Sequence, residues 1–552
     1  MRIDVIWLGE KPGSTSWPLG NVWASAQTPR AVHQLVEDQL PGPGIDGWLF
    51  WDGSLGLPEP GIVLHAFDRP GDIWHAGLRL GMGAQPAMLD TVVSTWMLNR
   101  DPYPNLEATS WRLSLRACLM KAEVLRQMGN LQPEFLTLDG CGLEFGYRCV
   151  TRGVLVRHLP SLAGKGNLPT NVQIPLEDAS RLIYAHFGRR WGDWALLRTL
   201  MRGEISPRKL ARILATIRGE TLPPSPSPFR HAGAAAGNWR HEARVSVLIP
   251  TLDRYPYLRT LLAQLREQSV RPIQVIVIDQ TSPERRETSF QEEFSELPLC
   301  MIHLERPGQC VARNTGLEVA QGDFILFLDD DVELRADYIE RHLNSLNRFR
   351  ANVSSGVADE KGIKELPEHF RFIRLSDVFP TGNTLVHRSV LERSGLFDLA
   401  YDHGQRADGD LGMRAYLTGA LMVLNPDVRL FHHRAPSGGL RTHGARRITY
   451  DSSRTRLLQR QLFSATEVYL AKRYFGPRQL KEMWWLTVLG TFSMRGNLIL
   501  RVLKAIVSLL FMPITMWQLH KRLDEGDRML RRFPVIPSFE NSNVRGEYHP
   551  CM

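Results

Sequence analysis

Three short apolar runs in the middle of the chain restrict its fold more than any other feature of the sequence. They are 244–250 (RVSVLIP), 273–279 (IQVIVID) and 324–328 (FILFL), and helical patterns lie between them, at 257–268 and 311–320. Continuous runs of Val, Ile and Leu that alternate with helices are typical of a parallel sheet covered on both faces. The sequence therefore predicts an α/β fold for this region.

Polar residues follow each of these runs. In open α/β sheets, ligands bind beyond the carboxyl ends of the strands. We therefore expect one binding site to be lined by the residues at these ends, namely Thr251, Asp253, Asp279, Asp329, Asp330 and Asp331.

The triplet Asp329, Asp330 and Asp331 directly follows the third run. Adjacent carboxylates repel one another unless they are solvated or bind a cation. Carboxylate oxygens suit Mg²⁺ or Mn²⁺, which often bridge to substrate phosphates. The alternative is a solvated turn that caps a helix beginning near Arg335. Its position after the apolar run favours the metal site.

A second acidic pair, Asp408 and Asp410, precedes a helical pattern in GQRADGDLGMRAYLTG. Asp at a helix N-terminus commonly caps the helix. A general base that deprotonates an acceptor hydroxyl would need the same placement at the mouth of a cleft. Both interpretations stay open on the residues alone.

Taken in order, these segments resemble the family 2 glycosyltransferases, which have the GT-A fold. The resemblance covers about 190 residues through VSVLIPTLDR, VIVIDQTS, PGQCVARNTGLEVAQGDFILFLDDDV, PTGNTLVHRSVLERSGLFD and HHRAPSGGLR. It implies that the donor nucleotide is bound by Pro250, Thr251, Asp253, Asp279, Arg313, Asn314, Asp329 and Asp330.

The resemblance also implies the remaining site residues. Asp329 and Asp331 would hold the cation, and Asp408 would be the general base. The expected acceptor-side residues are Gly382, Asn383 and Asp410. Ala407 stands where the family commonly has Glu, which leaves the positioning of the acceptor in doubt. We expect His432 rather than His433 to complete the metal shell, the alternative being a surface histidine without a ligand role.

The implied chemistry is a single displacement that inverts the anomeric configuration. Mn²⁺ or Mg²⁺ would stabilise the departing nucleoside diphosphate. The resemblance favours a UDP-sugar as donor, with GDP- and dTDP-sugars as alternatives. The acceptor would be a glycan or a lipid-linked sugar in cell-surface polysaccharide or glycoconjugate synthesis, an expectation by analogy of fold only.

An internal repeat is visible in the sequence. Residues 116–160 align with 382–426 at one constant offset, which pairs Gly129 with Gly395 and Arg148 with Arg414. At that offset Gly142 stands in place of Asp408. Upstream, Asp52 and Ser54 in WLFWDGS stand in place of Asp329 and Asp331. The sequence thus predicts a second GT-A-like domain that lacks the base and half of the metal pair.

Four regions are predicted. Residues 1–218 form the degenerate GT-A-like domain, and 219–243 form a linker rich in Pro, Ser, Ala and Gly. Residues 244–440 form the catalytic domain, and 441–552 a basic amphipathic helical tail. A length of 552 residues is consistent with two to four domains.

The tail contains much of the charge of a chain whose net charge is +9. Residues 442–532 hold about a dozen more basic than acidic residues. The most apolar stretch, 498–518, is interrupted by Arg501, Lys504 and Pro513, which leaves a clean apolar run of about 14 residues, short for a bilayer span of about 20 residues. Association with an anionic membrane surface, a helical bundle and a true span are the three interpretations. Nucleic acid is not expected, because no recognised motif accompanies the charge.

We expect a cytoplasmic protein, with peripheral association at the cytoplasmic face of the inner membrane as the alternative. Its start has no signal-peptide pattern, and its six cysteines form no CxxC pair, which favours reduced thiols over zinc. A nucleotidyltransferase would need a Gly-rich basic loop that PTLDRYPY lacks. A non-catalytic glycan-binding or scaffold protein is the other rival, and the intact Asp329, Asp331 and Asp408 argue against it.

Overall fold

The structure is a computed structural model that describes residues 1–10, 16–39, 44–164, 172–218, 220, 225–233, 243–362, 365–439, 462–492 and 496–540. The chain forms two compact units. The first comprises Met1–Gly233 with Phe372–Leu375, and the second Ala234–Arg371 with Ser376–Met552. Each unit contains its own β-sheet.

The described part of the first unit contains a seven-stranded sheet in the order β2-β1-β3-β6-β4-β7-β5. Its strands are β1 (Ile3–Leu8), β2 (Val22–Ser25), β3 (Gly47–Asp52), β4 (Ile73–His75), β5 (Ala108–Thr109), β6 (Ala117–Lys121) and β7 (Val156–His158). Its helices are α1 (Pro29–Gln39), α2 (Pro60–Phe67), α3 (Asp90–Val93), α4 (Ala122–Met128), α5 (Leu138–Thr151), α6 (Leu176–Phe187), α7 (Arg189–Met201) and α8 (Pro207–Arg218).

The second unit has the strand order β10-β9-β8-β11-β15-β13-β16-β12. Its strands are β8 (Val245–Thr251), β9 (Gln274–Asp279), β10 (Leu299–His303), β11 (Phe324–Leu328), β12 (Val332–Glu333), β13 (Val353–Glu360), β15 (Asn383–His387) and β16 (Met422–His432). The short β14 (Arg374–Leu375) lies within the segment assigned to the first unit. The helices are α9 (Tyr255–Arg266), α10 (Phe290–Glu293), α11 (Gln309–Val319), α12 (Tyr338–Phe349), α13 (Arg388–Ser394), α14 (Ala407–Leu417), α15 (Ala465–Tyr474), α16 (Pro477–Gly490), α17 (Leu498–Leu510) and α18 (Met512–Arg532).

The predicted parallel arrangement is confirmed for the three apolar runs of the second unit, whose sheet is otherwise mixed. Strand β8 pairs in parallel with β9 on one side and with β11 on the other. Almost all residues of these strands are buried, because helices cover both faces of the sheet. Helix α9 packs on the sheet through leucines at helical spacing, including Leu258, Leu262 and Leu265. Because β8, β9 and β11 are parallel, their carboxyl ends lie at the same edge of the sheet.

The two sheets share one topology. Strands β1, β2, β3, β4, β6 and β7 correspond in chain order and spatial order to β8, β9, β11, β13, β15 and β16. The sense of pairing also agrees, since β1/β2, β1/β3 and β4/β7 are parallel while β3/β6 and β4/β6 are antiparallel, as in their counterparts. The predicted GT-A-like repeat is confirmed at the level of the fold.

Corresponding residues of the repeat have the same local roles. Gly129 and Gly395 each end a short helix with φ near +80°, where a side chain would be strained. Arg148 binds Glu144 and the carbonyl of Met128. Arg414 binds Asp410 and the carbonyl of Ser394 in the same way. These pairs are buried in both units.

The predicted helical tail is confirmed for the described residues after 461. Helices α15, α16 and α18 pack around a small core that includes Val468, Ala471, Met483, Val488 and Leu519. Residues 440–461, with the predicted helix residues Leu457 and Leu458, lie outside the described part of the chain. The bundle interpretation therefore holds for these three helices.

Within the described residues no single helix is long and apolar enough to cross a membrane, although α17 and α18, bent by 65°, pass that test as a pair on length and composition. The expectation of reduced thiols throughout is wrong for Cys300, which is disulfide-bonded. Cys118, Cys141, Cys149 and Cys310 are free and buried.

Candidate active site

A cavity of about 310 Å³ opens at the carboxyl ends of β8 and β11 in the second unit. The sequence-predicted residues that line it are Pro250, Thr251, Arg313, Asp329, Asp330, Asp331 and His432. The lining residues that sequence reasoning did not single out are Leu252, Arg254, Gln280, Gln309, Glu360, Arg434 and Gly439. The cavity is therefore lined by acidic and basic side chains together.

The middle acid of the triplet, Asp330, is almost fully buried. Its carboxylate accepts hydrogen bonds from Thr251 Oγ1 at 2.8 Å and Arg254 Nη1 at 2.9 Å. Burial raises the pKa of Asp330 to about 6, against the opposing charge of Arg254. Asp330 thus joins the end of β11 to the turn after β8.

Asp331 is buried among cationic groups. Its Oδ1 lies 3.3 Å from Arg254 Nη1 and 3.3 Å from His432 Nε2, and its Oδ2 accepts the backbone N–H of Ala435 at 2.7 Å. Burial opposes ionisation, but the bond and charge of His432, the charge of Arg254 and the N–H group hold the pKa of Asp331 well below its usual range. The carboxylate is therefore ionised at neutral pH.

The pKa of His432 depends on the acidic side chains around it. Burial alone would lower its pKa, but Asp331 and Glu360 raise the pKa of His432 to about 9. His432 is therefore protonated at neutral pH, and it would have to lose a proton to bind a metal. The neighbouring His433 lies next to Glu333, with Nε2 2.5 Å from Oε1, and is not among the lining residues.

Asp329 is the most exposed acid of the triplet. Its side chain is 39% exposed, and its Oδ1 lies 3.5 Å from Arg313 Nη2. A Cβ at Gly382 would lie under 3.0 Å from Asp329 Oδ2, so any side chain there would require this carboxylate to move. Gly382 therefore contributes space to the site, not a side chain.

The segment 432–439 forms one wall of the cavity. Arg254 donates hydrogen bonds to the carbonyls of Ser437 and Gly438 at 3.2 and 3.3 Å. Gly439 N–H donates to the carbonyl of Leu252 at 2.9 Å. Gly438 and Gly439 have φ of 66° and 70°, and side chains there would meet Arg254 and the backbone of 252–253. Arg254 thus connects this wall to the acidic triplet.

Two predicted nucleotide-binding acids lie outside the cavity lining. Asp279 is fully buried and accepts hydrogen bonds from Tyr255 OH at 2.8 Å and the backbone of Thr281 at 2.9 Å. Asp253 has φ of 56°, and its carboxylate lies 2.9 Å from Arg285 Nη1. The structure places both at the edge of the sheet beside the cavity, but without a face on it.

Two asparagines that were predicted to line the site make hydrogen bonds within the protein interior instead. Asn314 bonds both the N–H and the carbonyl of Phe397, at 2.8 and 2.9 Å. Asn383 accepts from Tyr338 OH at 2.6 Å and donates to the carbonyl of Val357 at 2.9 Å. Both are buried and neither lines the cavity.

The second acidic pair is divided between surface and interior. Helix α14 begins at Ala407, so Asp408 and Asp410 lie in its first turn. The prediction that both acids precede the helix is therefore wrong. Asp408 is exposed and lies outside the cavity lining, and its Oδ1 accepts the N–H of Gly409 at 2.7 Å.

Asp410, expected on the acceptor side, is fully buried. It accepts from Arg414 at 2.7 and 2.9 Å and from Tyr474 OH at 2.7 Å. Its spacing of four residues from Arg414 on one helix face explains this inward placement. The structure thus places Asp410 in a buried ion pair and not at an acceptor surface.

The residues fit a divalent cation that is shared with a phosphate ligand. Among the described residues no group of three or more His, Cys, Asp and Glu side chains has the arrangement of a metal site. Asp329 and Asp331 nevertheless flank one cavity, and Asp331 Oδ1 already lies between two positive groups. Mg²⁺ or Mn²⁺ commonly uses one or two protein carboxylates and takes its other ligands from phosphates and water.

Comparison with known proteins identifies the domain that holds this cavity. The model of the family Glycosyl transferase family 2 matches residues 246–394. The chain carries a family 2 glycosyltransferase domain. That domain spans β8 to α13 and supplies the acids of the cavity, and its sheet has the predicted GT-A fold.

Relatives of this glycosyltransferase domain match over limited lengths. The putative glycosyltransferase EpsH of Bacillus subtilis is 33% identical over 103 residues, which are 18% of this chain and 30% of EpsH. Glycosyltransferase GlyA of Streptococcus pneumoniae is 27% identical over 161 residues, 29% of this chain and 22% of GlyA. The structure of S. aureus TarS 1-349 covers 55% of this chain and 93% of that one, at 17% identity and a TM-score of 0.33. The chain spans less than a third of these two curated relatives.

Arg254 is the main residue that sequence reasoning missed. It directly follows Asp253 in the turn after the first strand, so its position was a signal that could have been used. Glu360 and Arg434 gave no such signal. They meet, with 2.6 Å between Arg434 Nη2 and Glu360 Oε2, only because β13 and β16 pair in the folded sheet.

Proposed function

We propose that the second unit transfers a sugar from a nucleoside diphosphate donor, most readily a UDP-sugar, to a hydroxyl group with inversion at the anomeric carbon. The observation that carries the proposal is the shared cavity of Asp329, Asp331, Arg254 and Arg313 at the carboxyl edge of a family 2 domain. Two carboxylates with adjacent guanidinium groups suit a diphosphate and its cation.

The cation would be Mn²⁺ or Mg²⁺ held by Asp329 and Asp331, and it would stabilise negative charge on the leaving diphosphate. Arg313, with Nη2 3.5 Å from Asp329 Oδ1, is placed to bind a phosphate oxygen once the cation takes Asp329. Protonated His432 adds positive charge at the same point, or serves as a cation ligand after deprotonation. Arg254 holds Asp330 and Asp331 in position.

Asp408 is the general base of the proposed reaction. Its exposed carboxylate, in the first turn of α14, would accept the proton of the acceptor hydroxyl. The hydroxyl oxygen forms the new bond to the anomeric carbon while the bond to the diphosphate breaks. The nucleoside diphosphate leaves with the electron pair, so no covalent enzyme intermediate is needed.

The acceptor we propose is a glycan or a lipid-linked sugar in cell-surface polysaccharide or glycoconjugate synthesis. Named relatives support this class: the amylovoran biosynthesis glycosyltransferase AmsB of Erwinia amylovora and the GalNAc(5)-diNAcBac-PP-undecaprenol beta-1,3-glucosyltransferase of Campylobacter jejuni. We place the enzyme on the cytoplasmic side of the inner membrane, in peripheral contact through its basic tail. The first unit would not catalyse transfer, because Ser54 and Gly142 replace two of the acids.

The test is nucleoside diphosphate release across a panel of UDP-, GDP- and dTDP-sugars, with Mn²⁺, Mg²⁺ or EDTA. Asp331→Asn and Asp408→Asn are compared with wild type, and Asp323→Asn is the matched control because its exposed carboxylate lies outside the cavity. We expect release from one donor that needs the cation, is lost in both variants and survives in the control. Release that survives Asp331→Asn and Asp408→Asn would contradict the assignment. Absence of donor binding with every donor and cation would favour a non-catalytic glycan-binding protein.

A further inference from the structure

Helix α17 and the start of α18 present an apolar surface to solvent. Its residues recur every three or four positions and are between 44% and 73% exposed: Ile499, Leu503, Ile506, Leu510, Ile514 and Trp517. We call this set the apolar ridge. The spacing places them on one side of each helix.

Three polar residues of the same helices face inward. Lys504, Ser508 and Thr515 are each at most 2% exposed. Ser508 Oγ donates to the carbonyl of Thr491 at 2.6 Å, which fixes the rotation of α17 about its axis. A surface helix of a water-soluble domain normally buries its apolar side and exposes its polar side. Here the arrangement is inverted, so the apolar ridge requires another apolar surface to cover it.

We propose that the apolar ridge docks on the surface of an anionic lipid bilayer, with α17 lying in the headgroup layer. A helix of 13 residues is about 20 Å long, and the hydrocarbon core is about 30 Å thick. The bend of 65° between α17 and α18 turns the chain away instead of extending the span. Length and bend thus favour a helix that lies on the membrane.

Charge at the end of the ridge identifies the lipid class. One turn after Trp517, helix α18 exposes His520, Lys521 and Arg522, of which Arg522 pairs with Glu525 at 3.2 Å. Lys521 Nζ lies 5.6 Å from the centre of the Trp517 ring. Tryptophan is favoured at the boundary between hydrocarbon and headgroups, and adjacent lysine and arginine bind anionic headgroups. This succession matches the depth profile of an anionic membrane surface.

The ridge is connected through α18 and α15 to the start of the helix that carries the proposed base. Glu467 of α15 pairs with Arg406 at 2.8 Å, two residues before Asp408. Helix α15 packs on α18, where Lys472 Nζ lies 2.5 Å from Asp527 Oδ1. If the proposed glycosyl transfer holds, docking would keep Asp408 at a fixed height above the membrane, where a lipid-linked acceptor presents its hydroxyl.

The experiment is flotation of the full chain with vesicles of phosphatidylcholine alone and of an equal mixture with phosphatidylglycerol. The double variant Ile506→Glu, Leu510→Glu is compared with Leu57→Glu, which introduces a single glutamate at an apolar side chain that is 66% exposed in the first unit. We expect wild type and Leu57→Glu to float with the mixed vesicles. The ridge variant should partition at least about tenfold more weakly, with an unchanged melting midpoint.

A second variant, Lys521→Glu with Arg522→Glu, tests the charge. It should reduce binding to the mixed vesicles and leave binding to phosphatidylcholine as it is. Equal flotation of wild type and the ridge variant would overturn the proposal. So would a wild-type dimer that does not float and becomes monomeric in the ridge variant, because a second copy would then cover the ridge. Donor turnover reports separately on the catalytic proposal, since flotation needs no donor.

Discussion

Arg254 Nη1 lies 3.3 Å from Asp331 Oδ1, and the rest of the guanidinium binds the carbonyls of Ser437 and Gly438. The planar group of arginine can hold several acceptors at once in fixed directions. Arg254 therefore couples the position of a proposed cation ligand to the position of the cavity wall. A shift of either partner would change the other.

Arg254→Lys should impair the reaction although it keeps the charge. Lysine can hold one of these acceptors but not the planar set, so we expect kcat/KM to fall about 10- to 100-fold and the Mn²⁺ concentration for half-maximal rate to rise. Steady-state kinetics with cation titration checks this. Arg259→Lys, in the helix that follows, is the control, since Arg259 pairs with Glu287 and Glu293 outside the cavity. Equal behaviour of the two variants would exclude a positioning role for Arg254.

Gly382→Ala should reduce activity by about 100-fold or more, because the new methyl group would displace the Asp329 carboxylate. Donor turnover and the melting midpoint are measured together. Gly490→Ala, at the end of α16 where a Cβ would meet nothing within 4 Å, should have neither effect. Full activity of Gly382→Ala would show that Asp329 can move without loss of function.

Asp410→Asn and Asp408→Asn should separate stability from catalysis. Asp410→Asn leaves the buried Arg414 without its counter-charge, so we expect a loss of about 3–5 kcal/mol in the free energy of unfolding. Asp408→Asn should keep the stability of wild type and lose transfer. Chemical denaturation and transfer assays on both variants check this. Our assignments would be refuted by the opposite pattern, a stable Asp410→Asn with an unstable Asp408→Asn.

Asp329 and Asp52 are the corresponding acids of the internal repeat at the proposed cation site. Asp329→Asn should abolish cation-dependent transfer, whereas Asp52→Asn, at the corresponding end of β3, should change kcat by less than about twofold. In the first unit Asp52 caps a turn by accepting the N–H of Ser54 at 2.9 Å. A large loss of activity in Asp52→Asn would mean that the first unit takes part in transfer.

Acid should destabilise the first unit through His75. Burial and the charge of His158 lower the pKa of His75 to about 3, and its ring is held neutral between the Ser110 carbonyl and the Gly77 N–H. Below an unfolded-state pKa of about 6.5, the unfolded chain gains a proton that the folded chain does not. Stability should therefore fall between about pH 6.5 and 3, by up to about 1.4 kcal/mol per pH unit.

The measurement for His75 is denaturation as a function of pH in wild type and His75→Asn. The variant should start less stable and show a flatter dependence, because the buried titrating group is gone. His520→Asn, on the exposed side of α18, is the control and should follow wild type. Parallel curves for wild type and His75→Asn would rule out His75 as the source.

Strand and helix positions that depend only on neighbouring residues along the chain were predicted correctly from the sequence. The run Phe324–Leu328 matched β11 at both ends, because a fully buried strand is a continuous apolar run bounded by polar residues. The repeat offset aligned β6 with β15 and α4 with α13, since Gly129 and Gly395 end their helices in the same way. Such signals need only neighbours along the chain.

Contacts between segments far apart in the chain could not be predicted from the sequence. The interaction of Arg254 with Ser437 joins residues far apart in the chain, and no spacing records it. The inward position of Asp410 depends on Tyr474, which lies in a helix of the tail. An acid in a motif and an acid in a buried ion pair have the same letter, so only the packed structure distinguishes them.

The ion pairs Glu144–Arg148 and Asp410–Arg414 occupy corresponding positions in the two units. Both copies of the repeat kept this ion pair, whereas only one kept Asp331 and Asp408. The ion pair therefore serves the packing of each unit, and variants of the cavity residues can be designed with this pair of charges left in place.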